Sequence, residues 1–165
     1  MSDLLNFLDD HKVQYDHFQH EAVFTVADVQ RLLGHIPGTK TKNLFFRDQK
    51  GNRHFLVVVP DELRVDMKAL AKVLDAKRIS FGSPDRLREH LGLEPGAVSL
   101  LAVFNDQPQN VELFIDRGLW ANDQFQFHPL VNTATLVVDR ANLEKFLVAL
   151  NRDYKVVDVP ARSED

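Results

Sequence analysis

The sequence predicts an α+β fold, a mixed, barrel-like β-sheet surrounded by helices. Strand-like stretches predominate, helical stripes stand at the beginning, middle and end, and no linker, repeat or low-complexity tract interrupts them. A length of 165 residues, 44% hydrophobic and 27% charged, fits one domain with a sizeable core. That domain is expected over residues 1–160, with Ala161 to Asp165 a disordered tail.

Each element has a local reason. Ser2 caps a first helix running to about His11, with Asp3 in its first turn and Leu4, Leu5 and Leu8 on one face. Val13 to His20 alternates as a strand does, and His17 and His20 point to opposite faces, which argues against a metal pair there. Thr25 and Asp28 form a capping-box pair for a helix striped by Val26, Val29, Leu32 and Leu33, and Gly34 closes it. Gly38 to His54 reads as a strand, a tight turn at Lys50-Gly51 and the start of a return strand. Phe55 to Val59, apolar throughout, belongs at the centre of a sheet covered on both sides.

Further on, Asp66 caps a helix through Leu74 that presents Lys68 and Lys72 outward. A short strand from Arg78 to Phe81 precedes Ser83-Pro84, which starts a helix that Gly92 ends. Pro95 to Ser99 is a turn of small residues leading into an expected strand, Leu100 to Phe104. Val111 to Asp116 is a strand turned by Arg117-Gly118, and Gln124 to His128 is another that Pro129 terminates. Thr133 to Val138 adds a strand, Asp139 caps a helix carrying Leu143, Phe146, Leu147 and Leu150, and Lys155 to Val159 forms an edge strand.

Composition narrows the function. The chain has no cysteine, which removes disulfides, thiolate metal sites and cysteine nucleophiles together. No apolar run approaches the roughly 18 residues of a membrane span, and the Met-Ser-Asp-Leu-Leu start lacks a signal peptide's basic region, so a cytoplasmic location and no membrane partner are expected. The net charge of −4 is unevenly spread. Residues 40–88 hold twelve of the twenty Lys and Arg but six of the twenty-four Asp and Glu, a local balance of +6 against −10 elsewhere. Such asymmetry either steers a polyanion to one face or forms solvated helix surfaces.

The P-loop, the dinucleotide-binding glycine pattern, His-Glu-x-x-His and the nucleophile elbow are all missing. What stands out instead is Lys42 beside Asn43, the small-residue loop, and His128 before proline; such groups bind anions and donate to carbonyls. Pleating puts Thr41, Asn43, Phe45 and Arg47 on one face of their strand and Lys42, Leu44 and Phe46 on the other. Either Lys42 snorkels over that apolar face to water, or the face lines a pocket and aims the cation at an anionic ligand.

Three motifs carry a resemblance: Thr39-Lys40-Thr41-Lys42-Asn43-Leu44, Pro95-Gly96-Ala97-Val98-Ser99 leading to Ala102-Val103-Phe104-Asn105-Asp106, and His128-Pro129-Leu130-Val131-Asn132-Thr133-Ala134-Thr135. They are similar to the bacterial YbaK/prolyl-tRNA editing domain family, and most resemble its free-standing deacylases that hydrolyse alanine mischarged on proline tRNA. The resemblance implies aminoacyl-ester hydrolysis in trans without metal or organic cofactor, with tRNA as partner, prolyl-tRNA synthetase as a further one, and no DNA. It implies catalytic roles for Lys42, near the terminal adenosine and its phosphate, and for Asn43, orienting the aminoacyl group. It makes His128 a wall of the amino-acid pocket, Gly96, Ala97, Val98 and Ser99 the loop around the scissile ester, and Lys40 and Arg78 contacts to tRNA. His128 either shapes the pocket or moves a proton. One departure is Leu100, where family members usually carry proline; it leaves open the same reaction on serine or threonine. A non-catalytic module binding tRNA or a synthetase is the reading from another class, suggested by the lack of a familiar catalytic constellation.

Overall fold

The computed structural model describes residues 2–23 and 25–163, the side chain of Val26 excepted. In chain order the elements are α1 (Ser2–Asp10), β1 (Asp16–Gln19), α2 (Val26–Leu33), β2 (Thr39–Asp48), β3 (His54–Pro60), α3 (Met67–Val73), β4 (Ile79–Phe81) and α4 (Pro84–Leu91). Two 3-10 helices (Pro95–Ala97 and Leu100–Asn105) precede β5 (Val111–Asp116), α5 (Arg117–Trp120), β6 (Gln124–Phe127), β7 (Ala134–Asp139), α6 (Arg140–Ala149) and β8 (Lys155–Val157). Four of the five expected caps form: the side chains of Thr25, Asp66, Ser83 and Asp139 each accept a backbone N–H three residues on, whereas Ser2 is the first residue of α1 itself. At the β2–β3 turn, Asp48 accepts from the N–H groups of Asn52 and Arg53, and Gly51 adopts φ +73°, the left-handed region that glycine enters without strain.

The eight strands form one mixed sheet in the order β1-β7-β6-β2-β3-β5-β8, with β4 added against β2. β2 joins the halves. Its first residues run parallel to β6, Thr39 opposite Phe125, while the rest pairs antiparallel with β3 and β4. The sheet curls so that Phe45, Leu56, Leu113, Phe127 and Leu136 share one interior core, which α1, α4 and α6 close. On the outer side α3 buries Leu70, Ala71 and Leu74 against Phe46, Phe55 and Val57, and α2 covers Val137 with Leu33. β3 is the central strand that its apolar run predicts, with Phe55 to Val59 all at 0% exposure. No helix among the described residues is long and apolar enough to cross a membrane.

The structure corrects four expectations. Leu100–Asn105 is a 3-10 helix and not a strand: Leu100 to Val103 are buried on every side, and an unbroken apolar run does not distinguish a covered strand from a covered helical turn. Its first N–H groups find side-chain acceptors, Asn43 for Leu100 and Ser99 for Leu101. Arg117-Gly118 opens the short α5, capped by Asp116. β1 begins at Asp16, since Gln14 gives its N–H to the Asn142 side chain and Val13 turns into the core. Of the tail expected to be disordered, Ala161 bridges Val65 and Arg162 donates its N–H to Arg64; Glu164 and Asp165 lie outside the described residues.

A buried ion pair holds the chain before β5 to the end of α6. Arg152 donates to Asp106 at 3.0 Å with both side chains almost wholly buried, and its other terminal nitrogen meets the Val111 carbonyl. Asp106 also accepts from the N–H groups of Asn110 and Val111. Asp106→Ala strands the guanidinium in the core, so it is expected to lower unfolding free energy by about 3–5 kcal/mol, read as a lowered urea midpoint; a loss under about 1 kcal/mol contradicts this account.

Candidate functional site

A cavity of about 130 Å³ opens where β2 passes from one half of the sheet to the other. Val29 and Leu33 of α2 supply an apolar wall, Thr41 and Asn43 come from β2, and Gln126, His128 and Thr135 face them from β6 and its continuation. Lys40 and Asp61 stand among the lining residues as its two charges.

Hydrogen bonds fix the polar side. Thr41 Oγ1 donates to the Gln126 carbonyl at 2.7 Å and accepts from Asn43 Nδ2 at 3.1 Å. Asn43 Oδ1 accepts the Leu100 N–H at 2.8 Å, so the amide cannot flip and one Nδ2–H remains to donate. Gln126 Nε2 gathers the carbonyls of Ile36, Pro37 and Gly38 at 3.0, 3.0 and 3.2 Å, which seats the loop that delivers the chain into β2.

His128 Nδ1 lies 3.0 Å from the Ala134 carbonyl. A carbonyl only accepts, so Nδ1 carries the proton and Nε2 keeps its lone pair. Burial lowers the pKa of this ring; the bond to Ala134 partly opposes that, and His20 adds to it. His20 is itself oriented, Nδ1 donating to the Glu21 carbonyl and Nε2 accepting from Thr135 Oγ1 at 2.9 Å.

The sequence-predicted residues divide. Asn43, His128 and Lys40 meet at the cavity. Lys42 does not line it: with Leu44 and Phe46 it takes the outer face of β2, where Nζ donates to the Leu63 carbonyl at 2.5 Å, two residues beyond Asp61 on the same loop. Its charge is therefore held at the Leu63 carbonyl, over the outer apolar face of β2 and outside the cavity lining. Gly96, Ala97, Val98 and Ser99 are not in the cavity wall either. Ala97 is buried, Val98 packs on the interior core and Ser99 caps the next turn. A Cβ on Gly96 would meet Asn132 Nδ2 at 3.6 Å, which places the loop against the segment that follows His128. Leu100 is fully buried in the interior core, and its N–H is the group that anchors Asn43, a bond that proline cannot make. Arg78 is exposed ahead of β4, outside the cavity. Thr41 and Thr135 line the cavity from within two of the motifs, which gave them no role, and Gln126 and Asp61 join them from outside the motifs. Alternation placed Thr41 beside Asn43 on one face, but only the pairing of β2 with β6 shows what that face meets.

The profile of the aminoacyl-tRNA editing domain matches residues 20–146, and the chain belongs to that family. Among its relatives, it is 34% identical over 152 residues to the prolyl-tRNA editing protein ProX of Acetoanaerobium sticklandii, covering 92% of this chain and 93% of that one. It is 32% identical over 147 residues to prolyl-tRNA synthetase associated domain-containing protein 1 of Danio rerio, covering 88% and 79%. A solved structure described as a candidate trans-editing enzyme for prolyl tRNA synthetase superposes with a TM-score of 0.69 over 98% of this chain and 96% of that one; at 15% identity the likeness is one of fold.

The protonation state of His128 is directly measurable. Nitrogen-detected NMR of the ring is expected to show the Nδ1–H tautomer at neutral pH and a midpoint below the ordinary value of about 6.5; a midpoint at or above it contradicts the burial argument. His54 is shifted the same way, by burial and then by His90 and Arg86. Because the unfolded chain takes up these protons first, their contribution to stability is full above about pH 6.5 and is lost as pH falls through the lower folded values.

Proposed function

We propose that this protein hydrolyses the ester joining an amino acid to the 3′ end of a mischarged tRNA, with alanine on proline tRNA as its substrate. The observation that carries the reading is the cavity: small, apolar on one wall, and lined on the other by a locked amide and a histidine with a free lone pair. At about 130 Å³ it falls below the roughly 300 Å³ at which pockets for drug-sized ligands begin, so it suits an aminoacyl group and not a nucleotide. The family supports the ester chemistry, and the relatives named for prolyl-tRNA editing support proline tRNA as the carrier and its synthetase as a partner.

In this mechanism water attacks the ester carbonyl carbon, a carbon–oxygen bond forms, and the oxyanion collapses with cleavage of the bond to the ribose oxygen. The water's proton passes to that oxygen, directly or through the vicinal ribose hydroxyl, leaving free amino acid and free tRNA. The remaining Nδ2–H of Asn43 donates to the carbonyl oxygen as charge develops, and because Leu100 and Thr41 already hold the amide, no reorganisation is needed then. His128 Nε2 accepts from the substrate and orients it. Lys42 exchanges the Leu63 carbonyl for a phosphate of the tRNA's 3′ end on the outer face of β2.

Size then sets specificity. A synthetase pocket built for proline cannot strongly reject alanine, since a missing methylene is worth only about 1–3 kcal/mol, whereas a second pocket too small for proline can reject proline outright.

Incubation with proline tRNA charged with alanine, proline, serine or threonine tests the reading. Fast release of alanine with proline retained is expected; release of none, or of all four alike, overturns it. Asn43→Ala is expected to lower kcat by about 10²–10³-fold and Lys42→Ala to lower kcat/KM, with circular dichroism unchanged in both. Unaltered turnover in the Asn43 variant removes it from the mechanism.

A further inference from the structure

Phe81 is an aromatic side chain without a cover. It is 60% exposed on β4, which among the described residues pairs only with β2 and so lies at a sheet edge. Phe46 stands directly opposite in the register, and the two rings lie 4.9 Å apart, which fixes Phe81 over the outer face of β2. That is the face of Leu44 and Lys42.

The surroundings distinguish it from other exposed apolar side chains such as Val148. From Arg64 to Phe81 the chain carries five cations against Asp66 and Asp75, and Asp66 is occupied as the cap of α3. No ion pair among the described residues engages Lys68, Lys72, Lys77 or Arg78. By contrast Arg53 and Arg88 in the same basic region are tied to Glu112 and Glu94. An exposed ring in a stretch of unpaired cations is the pattern by which proteins hold single-stranded nucleic acid: charge follows the backbone and the ring takes a base.

We propose that Phe81 is a stacking platform for an unpaired base of the substrate's 3′ end, upstream of the nucleotide that carries the amino acid. The proposal rests on the hydrolase reading and adds to it where the RNA runs. Phe81 sits across from Phe46, four residues along β2 from Lys42, or about 14 Å at roughly 3.4 Å per residue. Stacked nucleotides advance about 3.4 Å each, so the ring serves the first few nucleotides behind the terminal one.

Two substrates separate this site from the cavity: alanyl-tRNA(Pro), and alanyl-adenosine, which has no upstream nucleotide. Phe81→Ala and Phe81→Leu are expected to raise KM for the tRNA about 5- to 100-fold, to leave kcat at saturation near wild type, and to leave alanyl-adenosine cleavage unchanged; Phe81→Trp restores the tRNA KM. The leucine variant keeps the apolar contact with Phe46 and removes only the aromatic face. Equal KM in wild type and both non-aromatic variants overturns the proposal while the hydrolase reading stands, as does an equal loss on both substrates. If wild type cleaves neither substrate, the hydrolase reading has failed. Stacking is then decided by a short RNA bearing 2-aminopurine near its 3′ end, whose fluorescence wild type quenches and Phe81→Leu does not; no quenching by either overturns it.

Discussion

The pleat of β2 is the constraint on which the rest of the structure depends. Among the described residues this strand alone belongs to both halves of the sheet, parallel to β6 at its start and antiparallel to β3 and β4 beyond. Alternation therefore sends Thr41, Asn43 and Phe45 inward, toward cavity and core, and Lys42, Leu44 and Phe46 outward, toward α3. A slip of one residue would exchange the two sets, burying a lysine in place of an asparagine whose hydrogen bonds are met. The extended pairing with β3, from Thr41 opposite Pro60 to Arg47 opposite His54, holds that register against such a slip.

The same alternation assigns two kinds of recognition to two sides of one strand. The inner side presents the fixed dipoles of Asn43 and His128 in a small cavity. The outer side carries charge and aromatic surface suited to a polyanion, and it continues into the basic stretch that includes α3 and β4. In the half of the sheet built from β1, β6 and β7, an open depression is lined by Asp9, Asp16 and Asp139 against the single cation Lys12. Opposed fields of this sort orient a charged partner before any specific contact forms.

Much of this was legible in the residues. Caps at Thr25, Asp66, Ser83 and Asp139, the glycine turn at Gly51 and the central run Phe55 to Val59 are local signals with local causes, and the structure keeps them. The three motifs carried the family, and with it the sheet. Legibility stopped where a residue's role is set by a distant partner. Alternation paired Lys42 with Leu44 and Phe46, but which face holds the cavity depends on where β6 and α2 pack. The run Leu100 to Val103 reads equally as strand or buried turn until Asn43 and Ser99 are seen receiving its N–H groups. The Asp106–Arg152 pair spans 46 positions of sequence, and neither residue announces burial by itself.

The contact between Leu100 and Asn43 has a consequence for how this position tolerates change. The anchoring group is main chain, so its supply does not depend on which side chain follows Ser99; isoleucine or methionine would offer the same hydrogen to the carboxamide. The single natural amino acid that withdraws it is the imino acid, whose ring closes on that nitrogen. Asn43 would then rely on Thr41 alone, and a donor aimed in one direction would become one free to turn.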